Sequence, residues 1–211
     1  MRLLALEAGG PLLGAALFEH GACVAAAVEA APQRQTERLA PLVRKLLDGN
    51  GWKAGQLEAV ACGVGPGSFT GLRSSLAFGT GLALAVPGLR LLGVPTLHVW
   101  AEAYAQDQAA DVLVLLDGRR GQAYRGRLRR SAAGGWEDAL PQALLDLPEA
   151  LDQAPACVVG DLAPAAVPGD GEERVRAVGR LALAGDLAPW EPLYLRRSEA
   201  EILWDKLHPK D

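Results

Sequence analysis

A glycine-rich turn leads into a helix lined with small residues over residues 63–85. An apolar strand, 59–63, precedes the turn, and the letters GPGS at 65–68 let the backbone bend tightly and lie close to another surface. Small residues then recur at every fourth position, which places them along one side of a helix. They are Gly71, Ser75, Gly79 and Ala83. The stretch therefore predicts a strand, a turn and a helix, with two candidate uses: a loop that holds a phosphate, and a face that admits a second helix.

The composition narrows the class of protein. The chain has 211 residues, of which 50% are hydrophobic, so it can build a core of mostly aliphatic side chains. Its formal net charge of -4 argues against a stand-alone nucleic-acid binder, because such proteins are usually basic. Three widely spaced cysteines predict reduced thiols in a cytosolic protein. No unbroken apolar stretch reaches the roughly 18 residues of a membrane-spanning helix.

The first half of the chain has the pattern βββ-α-β-α-β-α. Strands are predicted over 3–6, 12–19, 22–30, 59–63 and 89–94, and helices over 34–47, 71–85 and 96 to about 106. In the first helix, Leu39, Leu42, Val43 and Leu46 follow helical spacing. Thr36 is the predicted N-cap of this helix, with Pro41 near its first turn. Ser68 or Thr70 is predicted to cap the second.

The second half begins in the same way. Strands are predicted over 112–116, 122–130, 157–159 and 175–178, and a helix over 139–153. This weak repeat predicts an α/β protein with a duplicated βββαβαβα unit and a reduced second copy, which is the plan of the actin-like, sugar-kinase and heat-shock ATPase fold. The predicted lobes are 1–106, which carries the glycine loop, and 107–211, whose tail packs back on the first lobe.

The sequence lacks the residue motifs that several kinds of active site require. No Gly-Lys-Ser/Thr follows the glycines, so the loop is not a P-loop, and a simple strand-to-helix connection remains an alternative to a functional loop. The histidines, His20, His98 and His208, form no paired metal-binding motif, and His98 is predicted to be a core or helix-surface residue. No histidine stands in a motif that would activate Ser68 or Cys62, which disfavours a hydrolase.

Arginines cluster at a predicted turn and along the strand that follows it. Arg119 and Arg120 lie in the turn, and Arg125, Arg127 and Arg129 share one face of the strand by its period of two. The pattern is typical of a solvated sheet face. It also suits contact with a phosphate backbone, made jointly with a partner.

Three segments resemble the TsaB (YeaZ-type) family of bacterial tRNA threonylcarbamoyladenosine synthesis. They are GPGSFTGLR at 65–73, LLDGRRGQAY at 115–124 and EPLYLRR at 191–197. The first turn, Glu7-Ala8-Gly9, departs from the family's Asp-Thr-Ser, and Gln35-Thr36-Glu37 stands where relatives have His-Ser-Glu. Residues 130–175 match weakly. In the third segment, Tyr194 and Arg196 are expected to pack the tail onto the body of the protein.

The resemblance implies a cytoplasmic, non-catalytic scaffold. It implies pairing with TsaD, which transfers a threonylcarbamoyl group to N6 of adenosine 37 in tRNA, in an assembly that TsaE joins. No catalytic group, cofactor or metal is expected in this chain, since ATP and metal would belong to partner subunits. Contact with tRNA is expected only through the complex, and a homodimer when TsaD is absent.

Helices 34–47 and 71–85 are expected to form half of a four-helix bundle with TsaD. The candidate interface residues are Leu39, Leu42, Val43, Leu46, Gly71, Ser75, Phe78, Gly79, Leu82 and Ala83. The candidate phosphate-loop residues are Gly65, Pro66, Gly67 and Ser68, and the candidate tRNA contacts are Arg119, Arg120, Arg125 and Arg127. The alternative function is a nucleotide-dependent small-molecule kinase, with Glu7 in place of the usual Asp and Asp117 on a second phosphate loop.

Overall fold

A computed structural model describes residues 1–10, 12–31, 34–105, 109–132, 135–163 and 171–196, together with 201, 204, 207 and 208. The strands are β1 Arg2–Glu7, β2 Leu12–Glu19, β3 Ala22–Ala30, β4 Ala59–Gly63, β5 Arg90–Val94, β6 Asp111–Arg119, β7 Gln122–Arg130, β8 Trp136–Asp146 and β9 Cys157–Val159. The helices are α1 Gln35–Gly49, α2 Phe69–Ala85, α3 Thr96–Tyr104, α4 Leu147–Ala150 and α5 Glu172–Ala184.

The first sheet has the strand order β3-β2-β1-β4-β5. Its first three strands are antiparallel neighbours, whereas β4 and β5 run parallel to β1. Both faces are covered, so β1 is apolar along most of its length. Leu4 and Leu6 pack towards α1 and α2, and Leu3 and Ala5 pack towards α3 and α5.

The second sheet repeats this plan with one strand fewer among the described residues. Its order is β8-β7-β6-β9, with β6 to β8 antiparallel and β9 parallel to β6. Helix α3 packs on this sheet, α5 packs on the first sheet, and the two helices contact each other between the sheets. The predicted α/β fold with two lobes and a reduced second lobe is confirmed.

Two predicted elements of the second half are wrong. Residues 139–146 belong to β8 rather than to a helix, and only 147–150 are helical. Strand β8 is an edge strand, where Pro141 is tolerated because its missing N–H is not needed for pairing. The predicted strand 175–178 lies inside α5, which packs so closely on β2 that a methyl group at Gly179 would overlap the Phe18 ring.

The ends of the first two helices also differ in detail. Helix α1 has Arg34, not Thr36, at its N-cap, and Pro41 lies in its interior rather than near the first turn. Thr36 instead shares a hydrogen bond of 2.6 Å with the Ser74 hydroxyl on α2. Ser68 caps α2 by accepting a hydrogen bond from the Gly71 N–H.

The predicted boundary between the lobes, at 106/107, lies outside the described residues. The same is true of the predicted end of the third helix at 106. Within the described ranges, every helix is too short or too polar to cross a membrane.

Candidate functional site

The glycine loop is packed against the first turn of the same chain. The Ser68 N–H donates to the Gly9 carbonyl at 2.8 Å, and a methyl group at Gly67 would lie 2.8 Å from that oxygen. A methyl group at Gly71 would overlap the Ala8 carbonyl oxygen. The spacing of these glycines therefore has an intramolecular cause, the close approach of two backbones.

The loop also holds the start of α3. The Gly65 N–H donates to the Thr96 hydroxyl at 2.9 Å, and the Thr96 N–H donates to the Gly65 carbonyl at 2.8 Å. Pro66, which follows a cis peptide bond, has no N–H to offer. Because Gly65 and Ser68 use their N–H groups within the chain, neither is free to bind the phosphate that the sequence predicted there.

The C-terminal segment joins the glycine loop in space. The Leu193 N–H donates to the Val64 carbonyl at 2.8 Å, and the Tyr194 ring stacks on Phe69 with centroids 4.4 Å apart. Arg73 Nε donates to the Tyr194 hydroxyl at 2.6 Å. Arg196 donates to the Gly118 carbonyl in the second lobe. The predicted packing of Tyr194 and Arg196 onto the body of the protein is confirmed, and the first and third sequence segments form one structural unit.

Most of the predicted interface residues are buried within this chain, which leaves them poorly placed to contact a partner. The buried candidates are Leu39, Leu42, Val43, Leu46, Gly71, Ser75 and Gly79. The leucines and Val43 fill the chain's own core, and a methyl group at Gly79 would lie 2.5 Å from the Trp190 ring. Among the candidates, Phe78, Leu82 and Ala83 are partly exposed and keep their place in the predicted interface.

A different stripe of α2 faces outward. Its members are Arg73, Ala77, Gly81 and Leu84, which we call the outer stripe. Leu84 is 86% exposed, and a methyl group at Gly81 would meet no atom within 4 Å. Sequence periodicity does not reveal this stripe, because its members Ala77 and Gly81 are also small residues spaced by four. The feature that distinguishes the two sides of α2 is Trp190, whose ring lies against Gly79.

Charged groups are buried near the first turn. Glu7 is 2% exposed; its Oε1 accepts from the Gly9 N–H at 2.8 Å, and its Oε2 has no partner among the described residues. Burial raises the pKa of Glu7, although the Arg174 guanidinium and the Gly9 hydrogen bond oppose the rise. Arg174 is itself 5% exposed and lies over the Trp100 ring. A methyl group at Gly63 would overlap Glu7 Oε2, so this carboxyl is enclosed.

The second acidic residue of the kinase alternative has a local role. Asp117 accepts a hydrogen bond from the Arg119 N–H at 2.7 Å, and its own N–H donates to Asp161 at 2.7 Å. Burial raises the pKa of Asp161, and the neighbouring Asp117 charge adds to the rise. Within the described ranges, no group of three or more His, Cys, Asp or Glu side chains could hold a metal ion.

The arginines of β7 alternate with buried residues, as the period of two predicts. Arg125 and Arg127 are partly exposed, whereas Arg119 at the end of β6 and Arg120 in the turn are exposed. Arg127 donates two hydrogen bonds to Asp111, at 2.8 and 3.2 Å, so its charge is paired within the sheet. Arg127 is therefore a poor candidate for tRNA contact.

Sequence comparisons with known proteins identify the relatives of this chain. The family model described as "TsaD: tRNA N6-adenosine threonylcarbamoyltransferase" matches residues 29–163. The TsaB protein of Escherichia coli K12 is 35% identical over 146 residues, which cover 69% of this chain and 62% of that protein. The TsaB protein of Haemophilus influenzae is 32% identical over 103 residues, 48% of this chain and 43% of that protein. These alignments span less than two thirds of the two relatives.

A solved structure matches over more of the chain. YeaZ from Pseudomonas aeruginosa superposes with a TM-score of 0.74 at 28% identity, covering 92% of this chain and 99% of that chain.

Two sheets with the same plan, three antiparallel strands and then a strand parallel to the first of them, define a mixed α/β protein with a duplicated unit. The chain belongs to the TsaB (YeaZ) family, and its residues 29–163 also match the family model described as TsaD.

Proposed function

We propose that the protein is a non-catalytic subunit in the biosynthesis of tRNA threonylcarbamoyladenosine. The similarity to curated TsaB proteins carries this proposal. TsaD would transfer the threonylcarbamoyl group to N6 of adenosine 37, and TsaE would join the assembly. ATP and metal would be held by those partner subunits. The assembly would work in the cytoplasm.

The enclosed Glu7 supports a non-catalytic role. A carboxyl group that is 2% exposed and overlain by Gly63 has no open side on which to hold a metal-bound phosphate. Asp117, the other acidic residue that the kinase alternative needs, already accepts a hydrogen bond within its own turn. These contacts favour the scaffold over the kinase.

The outer stripe of α2 is the surface that we propose for pairing with TsaD. It is exposed and, apart from Arg73, uncharged, and Gly81 at its centre leaves room for a close approach of another backbone. Phe78, Leu82 and Ala83 are partly exposed on the same helix. When TsaD is absent, the same face would form a two-fold homodimer.

Contact with tRNA would be made only within the complex. Arg119, Arg120 and Arg125 would approach the phosphate backbone, and Arg127 would remain paired with Asp111.

Leu84→Glu is expected to weaken the complex with TsaD from the same organism at least roughly tenfold, because a charge would be buried at the interface. The substitution should leave folding unchanged, since Leu84 is 86% exposed. Analytical ultracentrifugation of the mixed proteins measures the complex. Val24→Glu is the matched control, because Val24 is 46% exposed on β3, an edge strand of the first sheet remote from β5.

Two results would contradict the proposal in different ways. A wild-type protein that forms no complex at micromolar concentration, even with TsaE and nucleotide present, would refute the function. A wild-type complex that Leu84→Glu leaves at full affinity would refute the outer stripe as its interface.

A further inference from the structure

Arg73 is held in a fixed orientation at the N-terminal end of the outer stripe. Its Nε donates to the Tyr194 hydroxyl at 2.6 Å, and its guanidinium carbon lies 5.5 Å from the centroid of the Phe69 ring and 5.4 Å from that of the Tyr194 ring. Those two rings are themselves stacked, with an interplanar angle of 10°. The contacts restrict the guanidinium plane although the residue is exposed.

The outer edge of this guanidinium has no acceptor. Among the described residues, the one hydrogen bond of Arg73 is made by Nε, and its acceptor is the Tyr194 hydroxyl. Two Nη groups are therefore left to solvent. Such a planar fork matches the two oxygens of a carboxylate or phosphate.

We propose that Arg73, oriented by Tyr194, binds a carboxylate side chain of the protein that docks on the outer stripe. This inference rests on the proposed pairing with TsaD and names the chemistry of one contact in that interface. Arg73 is the only charged residue in the α2 sequence, so a complementary acidic group on the partner would fix the register of docking. Pre-orientation lowers the entropy lost when the contact forms.

The surroundings favour a protein carboxylate over an RNA phosphate. The stripe continues from Arg73 through Ala77 and Gly81 to Leu84, none of which carries a charge. Binding of nucleic acid draws on several cations, whereas a single arginine beside an apolar surface is typical of a protein interface. Tyr194 acts as a positioning residue, because its hydroxyl accepts the hydrogen bond that orients Arg73.

Affinity for TsaD, measured by isothermal titration calorimetry at low and moderate salt, tests the inference. Arg73→Gln should weaken binding roughly 30-fold, as expected for the loss of an interface arginine. Arg73→Lys should weaken it roughly tenfold, since it keeps the charge and loses the fork. Tyr194→Phe keeps the ring stack and should weaken binding roughly fivefold through the lost hydrogen bond.

The salt dependence separates a charge contact from a structural effect. Wild-type affinity should fall between about 50 and 200 mM salt, and Arg73→Gln should remove most of that fall. Arg44→Gln is the matched control, because Arg44 is 85% exposed on α1 and paired with Asp48 within its own helix. The control should stay within about twofold of wild type.

The outcomes distinguish this inference from the proposed function. Absence of a wild-type complex would refute both. A normal wild-type complex whose affinity and salt dependence are unchanged in Arg73→Gln would overturn the inference alone. Loss of tRNA binding by the assembled complex, with TsaD affinity intact in Arg73→Gln, would overturn it in favour of an RNA phosphate.

Discussion

Gly71→Ala is expected to destabilise the protein by roughly 3 kcal/mol or more. The added methyl group would overlap the Ala8 carbonyl oxygen, and a backbone atom in a turn cannot move aside as a flexible side chain can. The Ser68 cap and the contact between Ser68 and Gly9 lie beside it, so the first turn, the loop and α2 would all have to shift. Urea unfolding followed by circular dichroism measures the loss.

Gly81→Ala is the matched control on the same helix. Gly81 is exposed, and a methyl group there would meet no atom within 4 Å. Alanine in place of glycine in a helix interior should therefore stabilise the protein by about 1 kcal/mol. Equal unfolding midpoints for Gly71→Ala and wild type would show that α2 does not approach the first turn as closely as described.

The first sheet was predictable because its sequence pattern is local. Strands β2, β3 and β4 have the bounds that the sequence predicted, since apolar residues fill each strand and turns separate them. Segment 139–153 was not predictable in this way. Its leucines suit a helix or a strand, and the deciding fact is the pairing of β8 with β7, which is a tertiary contact.

The sequence also does not predict which side of α2 is buried. Small residues occur on both sides of the helix, and periodicity alone does not say which side is buried. The distant Trp190 decides it: its ring lies against Gly79, and its Nε1 donates to Thr80 at 3.1 Å. The same limit applies to Arg73, whose partner Tyr194 lies in the C-terminal segment.

His98 illustrates a buried site whose partners the sequence could not supply. It lies on α3 and is 5% exposed. Nδ1 donates to both oxygens of Asp186, at 3.0 and 3.1 Å, and Nε2 donates to Asp138 at 3.4 Å. Asp186 also accepts from the Trp136 N–H at 3.0 Å. The three charged groups thus join α3, β8 and the end of α5.

The charge of His98 is favoured by these partners. Burial alone would lower its pKa, but the hydrogen bonds and charges of Asp138 and Asp186 outweigh burial and raise the pKa to about 9. Burial likewise acts to raise the pKa of Asp138, and the His98 contact holds it below the usual value. With a pKa of about 9, His98 carries its second proton at neutral pH and pairs with the buried carboxylate of Asp186 and the exposed carboxylate of Asp138.

Asp186→Asn is expected to destabilise the protein by roughly 3 kcal/mol at pH 7, because it leaves a buried imidazolium with one carboxylate fewer. The folded pKa of His98 is raised above its ordinary value of 6.5, so the stabilising contribution is complete below about pH 6.5. It is lost as the pH rises through about 9. The difference in unfolding free energy between wild type and Asp186→Asn should therefore shrink between pH 7 and pH 10.

Unfolding in urea across that pH range measures the difference, and comparing two proteins at each pH cancels the titration of groups that they share. Asp48→Asn is the control, since Asp48 is 70% exposed and its pair with Arg44 spans 3.6 Å on the surface of α1. It should change stability by no more than about 0.5 kcal/mol at any pH. A gap between wild type and Asp186→Asn that stayed constant up to pH 10 would mean that His98 is neutral in the folded protein, and that Asp186 contributes through its hydrogen bond to the Trp136 backbone instead.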